Sequence, residues 1–197
     1  MTKISNLDEL LDAAAKVFGE KGYANARLED IAAEVGMLKG SLYYHVGSKA
    51  ALLRLVRRRR FLEIAQAIED IAALPEEPRA RFRLAIHEQL RFVALYIAES
   101  PQWLRNPANP SRTAEEAAED HELVTRLREG FRTIIADGVD DGSVSPTVDP
   151  MIFVLSVLGM CNWVSRWYEP DGQYTIDEIA EIQFDMLWQG IAIRAKV

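Results

Sequence analysis

The sequence predicts an all-α protein with a small head of three short helices and a larger helical body. Three observations predict it. Apolar residues recur at helical spacing along most of the chain, and no segment alternates convincingly with period two. Breaks rich in Gly, Pro, Asn and Asp separate these stretches. The charge is also divided unevenly. Residues 1–60 hold 11 Lys+Arg and 7 Asp+Glu; the remaining 12 and 23 fall in residues 61–197. A head of +4 on a body of −11 is the asymmetry expected when one end meets a polyanion.

The elements follow in order. Leu7, Leu10, Leu11, Ala14, Val17 and Phe18 form one buried face of a first helix that Gly22 stops. A second helix spans Leu28–Val35 with Ile31, Ala32 and Val35 inward, and Gly36 ends it. A third covers Lys39–Val46. Ser48 caps a long fourth helix from Lys49 to about Ala73, which Pro75 and Pro78 break. Arg79–Glu99 and residues 115–137 are helical, with the Pro-rich segment 100–111 between them. Asp149 caps a helix with Pro150 at its first position, running to about Tyr168. Thr175 and Glu178 form a capping box for a last helix from Ile176 to about Arg194.

The second and third helices have helix-turn-helix spacing. Ala32 is small where the helices must cross, and Gly36 stands at the bend, where positive φ is required. The third helix presents Lys39, Ser41, Tyr43, Tyr44 and His45 outward or along its edge, a density of hydrogen-bonding groups that fits the major groove of B-DNA. One of the adjacent tyrosines is expected to be a half-buried core aromatic, since neighbouring positions cannot share a face. Lys49, at a helix N-terminus, is placed to meet a phosphate.

The run LEDIAAEVGMLKGSLYYHVGSKAALL, Leu28–Leu53, resembles the DNA-binding motif of the TetR family of transcriptional regulators. The matching residues are Asp30-Ile31-Ala32, Gly36, Lys39 to His45, and Ser48-Lys49; AAAKVFGEKGY, Ala13–Tyr23, matches the family's first helix. Ala26-Arg27 stand where the family commonly has two threonines. That weakens the cap of the second helix by about 1 kcal/mol, and Arg27 offers a phosphate contact in exchange. Met37 and Val46 are volume changes in the core. The resemblance implies a helix-turn-helix DNA-binding domain over 1–48 and a ligand-binding and dimerisation domain over 49–197. It implies a homodimeric repressor, released from a palindromic DNA operator by a small hydrophobic effector; the single cysteine fits a reducing cytoplasm. An activator, or a ligand-independent architectural DNA-binding protein, is the alternative.

In the body, Phe153, Val157, Met160 and Val164 form one apolar stripe, and Ile176, Ile179, Gln183, Met186, Leu187 and Ile191 another. These are the expected dimer surface, the other reading being internal core. CNWVSRWYEPDGQYT, Cys161–Thr175, resembles the branch of the family that senses acyl-CoA thioesters. That resemblance implies ligand contacts at Trp163, Arg166 and Trp167. Asn162, if buried, needs a partner, and a ligand carbonyl is one option. Of the run Arg57–Arg60, Arg58 is a candidate for CoA phosphates, against the alternative of a solvated face paired with Glu63. Trp103 is either a pocket gate or an anchor for its loop.

Other classes are excluded or disfavoured. The single cysteine, Cys161, rules out an intramolecular disulfide, and no apolar stretch approaches the roughly 20 residues that span a bilayer. The three histidines lack metal-ligand spacing, and there is neither a phosphate-cradling glycine loop nor a nucleophile elbow. The sequence therefore predicts no enzyme, no metal, no cofactor and no membrane partner.

Overall fold

The computed structural model describes residues 7–99 and 114–193. Among these residues it contains eight α-helices: α1 Leu7–Asn25, α2 Leu28–Glu34, α3 Lys39–Val46, α4 Lys49–Ala72, α5 Pro78–Glu99, α6 Ala114–Asp140, α7 Pro150–Trp163 and α8 Ile176–Ile191. A 3-10 turn, Val164–Arg166, follows α7. The all-helical class expected from periodicity is the class observed.

The described residues form two compact units, 7–60 with 95–99 and 61–94 with 114–193. The sequence suggested a division between 48 and 49; the contacts divide the chain inside α4, after Arg60. Leu52, Leu53 and Val56 of α4 belong to the head's core, which explains the position of that division.

The head is built around Leu10, Phe18, Ile31, Leu42, Leu52 and Leu53, all essentially sealed from solvent. Gly22 interrupts α1 with φ 69° and ψ 154°, so the helix turns there and resumes for three residues. Gly36 has φ 65°, the left-handed conformation that glycine adopts without steric cost. This bend sets α3 against α2.

The larger unit centres on Phe82 of α5. Its ring lies 5.7 to 6.5 Å from those of Phe131, Phe153, Phe184 and Trp188, which come from α6, α7 and α8. Gly130 of α6 faces Ile68 of α4 so closely that an added Cβ would come within 2.7 Å of a side-chain carbon. The Asp149 carboxylate accepts the Ile152 N–H at 2.9 Å and caps α7, as its sequence predicts. Thr175 and Glu178 close the predicted capping box: Thr175 N–H donates to Glu178 Oε2, and Glu178 N–H to Thr175 Oγ1.

Two helices end earlier than their periodicity suggested. α7 stops at Trp163, where the backbone tightens into the 3-10 turn. α8 stops at Ile191 because Ala192 pairs with Val144, with Ser145 N–H donating to Ile191 O at 2.8 Å. That pairing is non-local, so helical periodicity does not reveal it.

Candidate nucleic-acid interface and effector region

α3 buries Leu42 and Val46 and turns its other side chains outward. Tyr44 is 85 % exposed and Tyr43 42 %. The expectation that one tyrosine belongs to the core is therefore corrected: Leu42 and Val46, four residues apart, suffice to hold the helix. Tyr44 meets the His45 ring edge-to-face at 5.6 Å. The Lys39 ammonium lies 5.6 Å from the Tyr43 ring centre. Ser41 is half-buried at the edge. One short helix thus displays two phenols, an imidazole and an ammonium together.

The charges around it are paired. Lys39 at the start of α3 contacts Glu29 in the first turn of α2. Its hydrogen bond raises the lysine's pKa and lowers the Glu29 carboxyl's. Lys21 holds Asp30 at 2.9 Å and Lys16 holds Glu34. Each carboxylate of α2 therefore engages one lysine of the head.

Arg27 precedes α2 in an extended conformation and is exposed. No serine or threonine caps the helix here, but Asp30 accepts the Arg27 backbone N–H at 3.0 Å, so half of a capping box survives. Ala26 is buried in the core.

Lys49 has another task than the one its position suggested. Its Nζ donates to the carbonyls of Tyr23 at 2.7 Å, Ala24 at 3.4 Å and Ala26 at 2.9 Å, and lies 4.5 Å from the Tyr23 ring centre. All three ammonium protons are directed at the end of α1, leaving none aimed at a phosphate. Ser48 Oγ accepts the Ala51 N–H and caps α4 as predicted.

The chain matches two family models: residues 10–56 the bacterial regulatory proteins of the tetR family, and residues 75–191 the tetracyclin repressor-like C-terminal domain. The second model spans more than half of the sequence. The chain belongs to the TetR family of transcriptional repressors. Among TetR relatives, the HTH-type transcriptional repressor KstR2 of Rhodococcus jostii is 30 % identical over 192 residues, covering 93 % of this chain and 90 % of that protein. A TetR/AcrR regulator from Thermobifida fusca has a TM-score of 0.79 at 27 % identity, covering 93 % and 96 % of the two chains. The structure of AibR in complex with isovaleryl coenzyme A and operator DNA has a TM-score of 0.70 at 25 % identity, covering 92 % and 97 %.

In the TetR C-terminal unit, Asn162, Trp163, Arg166 and Trp167 cluster at the end of α7 and its 3-10 turn, and all four are exposed in the single chain. The condition attached to Asn162, that it be buried, is not met. Its Oδ1 accepts instead from the buried Gln89. Arg58 is exposed. Its neighbour Arg59 turns to α1, where it donates to Asp8 O and pairs with Asp12. The Arg57 guanidinium lies 5.6 Å from the Tyr96 ring centre. Trp103 lies outside the described residues.

The apolar stripes need a second correction. Val157, Val164, Ile179, Gln183 and Ile191 are buried within the unit. The apolar side chains that face outward are Ile152, Leu155 and Trp163 on α7, and Ile182 and Met186 on α8. Residues 152, 155, 159 and 163 lie on one face at helical spacing, as do 182 and 186. Sequence reasoning also missed Glu29 as the partner of Lys39, and Gln89. The signal for Gln89 was available: it is a polar residue at an inward position of α5 beside Ile86, Leu90 and Val93.

Proposed function

We propose that this TetR repressor acts as a homodimer, reads a palindromic operator with α3 of each protomer, and leaves it on binding a small acyl thioester. The observation that carries the DNA-reading part is the outward face of α3. Tyr43, Tyr44, His45 and Lys39 occupy a helix too short to need them for its own packing, and their donors and acceptors suit phosphates and base edges. Arg27 and Ser41 flank them on the same head. AibR, crystallised with operator DNA and isovaleryl coenzyme A, supports both the target and the effector class. The exposed stripes of α7 and α8 supply the dimer surface: two such helices from each protomer form a four-helix bundle. Trp163, the last residue of the α7 stripe, together with Asn162, Arg166 and Trp167 at its end, marks the region where the thioester binds.

A paired experiment separates the parts. Tyr44→Ala leaves a dimer that binds operator about tenfold more weakly at matched salt. Met186→Glu gives a folded monomer by analytical ultracentrifugation, and operator affinity falls with it. Wild-type operator affinity in Tyr44→Ala removes α3 from the interface; a Met186→Glu dimer removes the stripe.

A further inference from the structure

Gln89 lies on α5, 1 % exposed, among the apolar residues of that helix's inward face. Its Nε2 donates to Asn162 Oδ1 at 3.3 Å. Its Oε1 is buried and has no hydrogen-bond partner among the described residues. The buried Gln183 differs, because its Oε1 accepts from the Cys161 thiol at 3.5 Å. Burial pushes that thiol up to about 12, so it keeps its proton to donate. Arg81 keeps an unpaired Nε, yet its terminal nitrogen holds both Ala72 O and Asp137. Gln89 is therefore a buried carboxamide with a bare acceptor.

A carboxamide oxygen sealed without a donor destabilises a fold, and leucine or methionine at this position would remove the defect. Retaining glutamine makes sense when the missing donor arrives with a ligand. The side chain also has the right neighbour: through Asn162 it adjoins Trp163 at the end of α7. Apolar surroundings with a few fixed polar groups are what orients a small molecule in a site.

We infer that Gln89 is an effector-binding residue whose Oε1 accepts a hydrogen bond from an N–H or O–H of the effector. The effector then carries a donor beside its apolar part. A coenzyme A thioester meets this requirement through its pantetheine amide N–H groups, whereas a hydrocarbon or a fatty carboxylate does not. The inference rests on the proposed release by a small effector, and it adds a chemical demand to it.

The test compares wild type with Gln89→Leu, and with Gln89→Met should leucine pack poorly. Isovaleryl-, butyryl- and octanoyl-CoA are titrated against the operator complex, and ligand-free melting is recorded. In the variants, the thioester concentration that releases half the operator rises about tenfold, while the ligand-free melting temperature rises. An unchanged half-release concentration in both variants overturns the inference and leaves the thioester reading standing. If no thioester acts on wild type, the thioester reading falls, and 1-octanol and methyl octyl ether decide the inference. Stabilisation of wild type by the alcohol beyond the ether, lost in Gln89→Leu, supports it; equal stabilisation by the two overturns it.

Discussion

The head and the C-terminal unit bury different things. The head's core, from Leu10 to Val56, is wholly apolar, and its charged groups lie around that core in lysine–carboxylate pairs, in the Arg59–Asp12 pair, at Lys49 against the α1 carbonyls, or on α3. The C-terminal unit encloses Arg81, Gln89 and Gln183 among its phenylalanines and leucines. A module that presents a rigid helix to DNA gains from a plain core, because nothing inside it needs to change partners. A module that takes up a small molecule needs polar groups inside, where they fix orientation. The contrast is one of chemistry: the head keeps polar side chains out of its core, and the C-terminal unit keeps three inside.

The largest expected effect tests the apolar part of both cores. Phe82→Ala removes the ring on which four others converge and costs about 3–5 kcal/mol. Leu42→Ala in the head costs about 2–5 kcal/mol by the same mechanism. Urea denaturation measures both. A cost for Phe82→Ala below that of an ordinary surface substitution would mean that the aromatic cluster does not organise its unit.

Next in size is Lys49→Ala. Three carbonyls at the end of α1 lose a charged donor, and stability falls by about 2 kcal/mol. With the ammonium engaged by these carbonyls, the slope of operator affinity against salt is expected to stay at its wild-type value. A slope reduced by about one at unchanged stability would return Lys49 to the phosphate contact that its position suggests.

Lys49 and the helix boundaries also show what was legible in the sequence. α3 is observed with the predicted limits, Lys39–Val46, because Gly36 and Gly47 punctuate it and both have positive φ. The starts of α7 and α8 were readable from Asp149 and from the Thr175–Glu178 box, since caps are local chemistry. The outward face of α7 was not. Met151–Trp163 is apolar nearly all round, so hydropathy cannot distinguish the side that meets its own core from the side left outside. The same limit hid the role of Lys49: its partners stand 23 to 26 residues away, and only the fold brings the end of α1 to the start of α4.

A smaller effect is expected at the start of α8. His87 Nε2 meets Glu181 at 2.6 Å and its Nδ1 meets Asp177 at 3.2 Å, while Arg83 and Arg91 hold the same carboxylates. Hydrogen bonds from Arg83 to Glu181 and from His87 to Asp177, the largest causes at each, lower both carboxyl pKa values. A lowered folded value stabilises fully above the unfolded value, about 4 for these groups, and the contribution is lost as pH falls through the folded one. Acid unfolding of wild type therefore has a steeper step below pH about 4 than that of an Asp177→Asn, Glu181→Gln variant. Identical acid limbs would mean that α5 and α8 are not held by these charges.

The smallest effect concerns the head's surface pairs. To reach a phosphate, Lys39 must leave Glu29, and an exposed, salt-screened pair of this kind resists that only weakly. Glu29→Gln removes the competitor and one negative charge from the approach to the DNA backbone. Affinity for operator and for unrelated duplex should rise together, about threefold at low salt, since phosphate contacts carry no sequence information. The gain should shrink as salt rises and the Debye length falls to about 8 Å. Lys39→Ala in the same background should erase it. A gain that survives in Glu29→Gln, Lys39→Ala would show that Glu29 repels the backbone directly. No gain at any salt would place the start of α3 away from phosphate.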